Sequence, residues 1–215
     1  MNRTQASWLV GRPFFGALVR TFAPLRHYGT ERIPRHGPLV LCFNHFSWLD
    51  PWAIGSVIPR TMYYVAKEEA MSAPFLGAFL RVFGTLSVRR GESDREAVRL
   101  MREVVRRGDA LGMFPEGTRQ EREPGEVKPG AAMVAIQEGA PVVCGAIHGS
   151  QDWRFGNFHP VSVAFGEPLD LNAHPRNSKG YRDGSAEIQR ELRRLFDFLV
   201  QAHELGRPRV AIPPP

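Results

Sequence analysis

Short apolar runs recur along the chain, separated by stretches in which apolar residues return every three or four positions. The runs at 38–43, 62–66, 110–114, 141–147 and 161–165 read as strands, 38–43 with the look of a buried one and the near-continuous 141–147 as one buried on both faces. Residues 84–88 (Gly-Thr-Leu-Ser-Val) read as a further strand. Between them, helical spacing predicts helices over 51–58, 93–107 and 128–138. The second has Ser93 and Glu96 as a capping box, a stripe of Ala97, Leu100, Val104 and Val105, and Gly108 at its close. Residues 74–83 form an apolar, aromatic run that suits a core helix or the wall of a groove. After a polar linker at 172–184, Ile188, Leu192, Leu195, Phe196 and Leu199 mark a last helix. Alternating strands and helices of this kind predict a single α/β domain over residues 29–205, with a largely parallel central sheet flanked by helices.

Residues 1–28 stand apart as a basic amphipathic segment. Up to residue 35 there are six arginines (Arg3, Arg12, Arg20, Arg26, Arg32, Arg35) against one acid, Glu31. Between Pro13 and Pro24 a helix would gather Phe14, Phe15, Leu18 and Phe22 on one side, with Arg20 facing away. Ten residues reach about 15 Å, half of a bilayer core. The expectation is a helix lying at a membrane surface, peripheral or monotopic on its cytoplasmic face, with arginines toward anionic lipid. The alternative is a helix packed on the domain. Residues 206–215 read as a disordered tail.

A length of 215 residues suits one domain, and a formal net charge of +6 suits an anionic partner. No nucleic-acid-binding pattern is visible, so phospholipid surface or phosphorylated substrate ranks ahead of nucleic acid. Cys42 and Cys144 lie inside apolar runs and read as buried free thiols, neither a disulfide framework nor a zinc site.

Two stretches carry candidate chemistry. In Asn44-His45-Phe46-Ser47-Trp48-Leu49-Asp50, a histidine and a carboxylate stand at the end of an apolar run. Five residues are roughly 140° apart around a helix, so His45 and Asp50 meet only if the backbone turns between them. Asp50-Pro51 supplies that turn, because proline starts a helix readily and Asp50 suits its N-cap. A surface histidine beside an ordinary cap would carry the same residues. The second stretch, Phe114-Pro115-Glu116-Gly117-Thr118-Arg119, places an acid and an arginine on a rigid strand-end loop, where binding groups concentrate. His148, Asp152 and His159 have neither metal spacing nor a nucleophile elbow and are expected at the surface.

These two stretches, with Gly84-Thr85-Leu86-Ser87-Val88-Arg89-Arg90 and Ala140-Pro141-Val142, resemble the four blocks of the glycerolipid acyltransferases, whose best-known members are the 1-acylglycerol-3-phosphate acyltransferases. The resemblance runs from about Gly29 to Leu171. It implies a glycerolphosphate acyltransferase-like fold and transfer of a fatty acyl group from the thioester of coenzyme A or acyl carrier protein to a lysophospholipid hydroxyl, giving phosphatidic acid. His45 would be the general base and Asp50 its orienting partner. Asn44, Arg90, Glu116, Gly117, Thr118, Arg119 and Lys128 would bind substrate, the basic groups on the phosphate. Lys67, at the end of a strand, is a further candidate near the site. No metal or redox cofactor is implied. Neither serine nor cysteine stands as a nucleophile, so direct transfer is expected. Alternatives are another lysolipid, aminolipid or glycolipid acceptor, a hydrolase, or a membrane-surface lipid-binding protein with a vestigial site.

Overall fold

The computed structural model of the chain describes residues 3–67, 84–88 and 94–214. Within them lie helices α1 (Arg3–Phe22), α2 (Asp50–Val57), α3 (Asp94–Arg106), α4 (Gly130–Glu138) and α5 (Ser178–Glu204). The strands are β1 (Leu25–Tyr28), β2 (Leu39–Phe43), β3 (Met62–Lys67), β4 (Leu86–Val88), β5 (Ala110–Met113), β6 (Val142–His148) and β7 (Val161–Phe165). They form one sheet in the order β1-β7-β6-β2-β5-β3-β4. Every neighbouring pair is parallel except β6 with β7. The expected single α/β domain with a largely parallel sheet is thus observed.

Chain direction within this sheet decides where chemistry can sit. From β2 the chain moves past the β5 position to β3, and from β5 it moves back past β2 to β6. With right-handed crossovers, these opposite movements put α2 on one face and α4 on the other. Their loops part beyond the carboxyl ends of β2, β5 and β6, which opens a crevice there. β2 and β7 are buried at every residue, because helices cover the central strands on both sides. Cys42 and Cys144 face each other in register on β2 and β6 as buried free thiols. One residue along, a Cβ at Gly145 would lie 2.6 Å from the Phe43 ring, so the glycine makes room for one of the largest core side chains.

Several boundaries differ from the sequence expectation. α1 runs for 20 residues, about 30 Å, and carries Pro13 inside it. Pro13 lacks an N–H for the Leu9 carbonyl one turn earlier, but both residues are exposed. Helix α1 packs on α2 through small residues. The buried Trp8 indole sits 3.4 Å from the position a Gly55 Cβ would take, and Gly16 lies against Ser56. Arg12 Nη1 donates to the Ile58 carbonyl at the end of α2, across 2.9 Å. Apolar residues therefore fall on both faces of α1, and Leu9, Val10, Phe14 and Leu18 remain exposed. Among the described residues, no helix is long and apolar enough to cross a membrane.

Residues 25–28 form an edge strand of the sheet, although they were expected in the segment that stands apart. The tail, expected to be disordered, is held down over 208–214. Tyr28 donates to the Pro208 carbonyl, and Arg32 to those of Pro213 and Pro214, each at 2.9 Å. The polar linker ends early, because Asn177 Oδ1 accepts the amides of Lys179 and Gly180 and starts α5 at Ser178. Ser93 of the expected capping box and the run 74–83 lie outside the described residues.

Candidate active site

The site is built where β2 ends. Asn44, wholly buried, spends its amide on the end of β6: Nδ2 donates to the Ile147 carbonyl (2.9 Å) and Oδ1 accepts the Ile147 N–H (2.8 Å). This double bond pattern extends the β2–β6 pairing one step beyond the strand, and both polar ends of the Asn44 side chain are used there. The chain then turns sharply. His45 Nδ1 meets Asp50 Oδ2 at 2.8 Å, and the same oxygen accepts the amides of Phe46 (2.6 Å) and Ser47 (2.7 Å). Asp50 therefore folds back onto the loop that carries His45. It does not act as the expected N-cap: α2 starts at Asp50 itself, and its N-cap position is Leu49.

A carboxylate oxygen accepts, so the 2.8 Å contact is suited to an Nδ1–H donor on His45, the tautomer of neutral imidazole in which Nε2 is the acceptor. The His45 ring is 20% exposed while Asp50 is buried completely. The ring lies on Phe114, with centroids 4.1 Å apart and planes 21° from parallel, and Tyr64 stacks against Phe114 in turn. This aromatic stack fixes the imidazole plane while the edge bonded to Asp50 fixes its rotation.

The loop after β5 holds the His45 backbone from the other side. His45 N–H donates to Glu116 Oε2 at 3.1 Å, and the His45 carbonyl accepts Gln120 N–H at 2.7 Å. Glu116 Oε1 accepts Gly125 N–H at 2.9 Å. Both carboxylate oxygens are thus engaged by backbone, and Glu116 is buried. Burial pushes its carboxyl up to about 7, against the two amide bonds that favour the charged form, with the nearby Asp50 charge adding to the rise.

Gly117, Thr118, Arg119 and Lys128 are exposed beside this loop. Gly117 has φ 76°, the left-handed region, and a Cβ there would lie 2.7 Å from Lys128 Nζ. The left-handed backbone favours glycine here, and the mobile end of the Lys128 side chain lies close over it. The Arg119 guanidinium lies over the exposed Trp48 indole, 4.8 Å from its centroid. The 114–128 loop, bonded to the His45 backbone through Glu116 and Gln120, thus carries two exposed cations, one braced on an aromatic face.

The structure brings together Asn44, His45, Asp50, Glu116, Gly117, Thr118, Arg119 and Lys128. Arg90 lies outside the described residues, as does the Lys67 side chain. His148, expected at the surface, is instead partly buried: its ring meets Phe196 and His203 edge to face, and burial lowers its basicity. Sequence reasoning missed Phe114, Trp48, Gln120, Gly125 and Ile147. Only the first two carried a signal, as aromatic residues inside the two motifs.

Residues 24–148, more than half of the chain, match the profile of a family described as Acyltransferase. The chain is 28% identical over 144 residues to a 1-acyl-sn-glycerol-3-phosphate acyltransferase of Bacillus subtilis, covering 66% of this chain and 72% of that one. A protein of the same description from Borreliella burgdorferi is 26% identical over 153 residues, covering 68% and 58% of the two chains. A lyso-ornithine lipid O-acyltransferase of Rhodobacter capsulatus is 36% identical over 76 residues, which are 35% of this chain and 27% of that one. Among solved structures, the 1-acyl-sn-glycerophosphate acyltransferase PlsC of Thermotoga maritima shares the fold. Its TM-score is 0.67 at 22% identity, with 85% of this chain and 77% of that one covered.

Proposed function

Because the chain belongs to the acyltransferase family, we propose that it transfers a fatty acyl group from a thioester, of coenzyme A or acyl carrier protein, to the free hydroxyl of 1-acylglycerol-3-phosphate. The observation that carries this reading is the 2.8 Å contact between His45 Nδ1 and the buried Asp50, which turns Nε2 away from the carboxylate. The acceptor hydroxyl gives its proton to Nε2 as its oxygen attacks the thioester carbonyl. Asp50 holds the tautomer and stabilises the imidazolium that forms. When the carbon–sulfur bond breaks, the imidazolium returns the proton to the departing thiolate. Arg119 and Lys128, with Arg90 as the resemblance implies, hold the acceptor phosphate and so set the hydroxyl against the carbonyl. Asn44 and Glu116 act differently from what the motif implies: their polar atoms are engaged by backbone, so they hold the loop that carries His45.

The acceptor is a membrane lipid, and we place the enzyme at an anionic membrane surface on the cytoplasmic face. The exposed apolar row of α1 and the arginines around it support peripheral binding. A second acceptor, a lyso-aminolipid, is supported by the similarity to the Rhodobacter capsulatus protein. Turnover by the purified protein with both thioester donors, on lysophosphatidate and lyso-ornithine lipid in parallel, distinguishes the two. Preference for lysophosphatidate supports the first reading; preference for the aminolipid replaces it. Free fatty acid released without acceptor would make the protein a hydrolase.

A further inference from the structure

The loop between β6 and β7 has a shape that the site just described does not use. Its residues 154–158 form an exposed run, in which Phe155 is 78% and Phe158 is 56% exposed. Two large aromatic side chains in water are costly to display, and here the backbone is arranged to display them. Phe158 has φ 50°, a left-handed conformation that is unusual for a bulky residue. Asn157 staples the turn: Oδ1 accepts the amides of Arg154 (3.0 Å) and His159 (3.1 Å), and Nδ2 donates to the Asp152 carbonyl (2.9 Å).

The loop is also fixed to its surroundings on two sides. Toward α1, Trp153 Nε1 donates to the Phe22 carbonyl at 3.1 Å, and the Phe155 and Phe22 rings lie 5.1 Å apart. The exposed apolar side chains of α1 and those of this loop are therefore joined through the end of α1. Toward the site, Asp152 pairs with Arg122 at 3.5 Å, on the segment whose Gln120 binds the His45 carbonyl. Strand β6 runs parallel to β2, so this loop leaves the sheet at the same edge as His45.

We propose that the 149–160 loop is a second membrane contact, inserting Phe155 and Phe158 into an anionic lipid surface so that the His45 edge of the sheet faces the bilayer. The inference rests on the membrane-surface reading above and adds an orientation to it. Charge complementarity selects the occupant. Arg20 and Arg26 flank the end of α1, Arg154 stands beside Phe155, and the one acid of the loop, Asp152, is paired with Arg122. Aromatic rings at the headgroup level with arginines around them fit an anionic bilayer. A single anchor would leave the domain free to swing. Two anchors joined through Phe22 set one orientation, in which an acceptor still embedded by its acyl chain has a short path to the site.

The test is co-sedimentation of the full chain with vesicles of equal parts phosphatidylglycerol and phosphatidylcholine. Five proteins are compared: wild type, Phe155→Ser/Phe158→Ser, Leu9→Ser/Val10→Ser, and Phe158→Cys and Ser178→Cys, each labelled with an environment-sensitive fluorophore. Native Cys42 and Cys144 are buried, so the label goes to the new thiol. The expected result is a loss of about tenfold or more in vesicle affinity for each double variant, since binding scales with apolar area inserted. The label at 158 should brighten on vesicle addition, and the same label on Ser178→Cys, at the far end of the sheet, should not. If Leu9→Ser/Val10→Ser loses binding while Phe155→Ser/Phe158→Ser stays within twofold of wild type, the loop contact is overturned and the membrane reading stands. No vesicle binding by wild type would overturn both. The fluorescence arm does not depend on the stability of the serine variants; no change at 158 would overturn the proposal by itself.

Discussion

Glu116 and His45 are joined through the backbone: the buried carboxylate accepts the His45 N–H at 3.1 Å. An acid of the second candidate stretch thus holds the backbone of the proposed base. Glu116→Ala leaves the amides of His45 and Gly125 without their acceptor, and the loop carrying His45 loses one of its two ties to the 116–120 segment. The expected effect is a fall in kcat of about 10²-fold with a much smaller change in acceptor KM. Steady-state kinetics with varied acceptor check this. A large rise in KM at unchanged kcat would show that Glu116 binds the acceptor directly.

Asp50→Asn probes the other side of the histidine. Asp50 Oδ2 accepts three donors; an asparagine can meet them with its one oxygen but brings no charge to stabilise the imidazolium, and its NH2 turned toward Nδ1 selects the tautomer in which Nε2 carries the proton. We expect a loss of roughly 10³–10⁴-fold in kcat with the protein still folded. Circular dichroism alongside turnover separates loss of chemistry from loss of fold.

Asn44→Ala should act on stability first. It leaves the Ile147 N–H and carbonyl, both buried, without partners at the end of β6. The expected cost is about 2–3 kcal/mol, read as a shift in urea midpoint at unchanged slope. Activity should fall as well, because the same residue begins the turn that carries His45.

His203 sets an acid limit on stability. Burial, with the charges of His148, Arg207 and His159, lowers it to about 3, and its Nε2 lies 2.9 Å from Ser162 Oγ. The Arg207 Nε–H donates to the same oxygen, which places a second cation beside this imidazole. The folded state therefore binds fewer protons than the unfolded state between pH 6.5 and 3, and stability falls as pH falls through that window. Between pH 7 and 5 the loss should be about 2 kcal/mol. Glu116 works in the opposite sense: its raised carboxyl binds a proton in the folded state, so its contribution declines as pH rises from about 4.5 to 7. Comparing urea midpoints of wild type and His203→Asn at pH 7 and 5 isolates the histidine, and an unchanged pH slope in the variant would contradict this assignment.

Much of this arrangement was legible in the residues themselves. The apolar runs at 141–147 and 161–165 had the length and continuity of strands, and strands run over Val142–His148 and Val161–Phe165. The turn between His45 and Asp50 was legible because proline after aspartate restricts the chain. What Asp50 does there was not, since a cap and a fold-back use the same residue. The burial of Glu116 was illegible because its partners are backbone amides, one of them 71 residues away in the chain. Its neighbours Gly117, Thr118 and Arg119 marked a binding loop, but nothing in that pattern tells an inward acid from an exposed one. The passage of α1 through Pro13 depends on packing against Gly55 and Ser56, which local pattern does not contain. The start of α5 at Ser178 depends on the Asn177 cap, which outweighs two glycines in the first turns.

The central claim is that His45 acts as a base for direct acyl transfer. It is tested most directly by acyl transfer from a radiolabelled thioester to lysophosphatidate, comparing wild type with His45→Ala. The account predicts labelled phosphatidate from wild type, product loss of at least about 10³-fold in the variant, and no label retained on the protein in the absence of acceptor. Turnover by His45→Ala close to wild type, or a covalently labelled protein that passes its acyl group on, would contradict it.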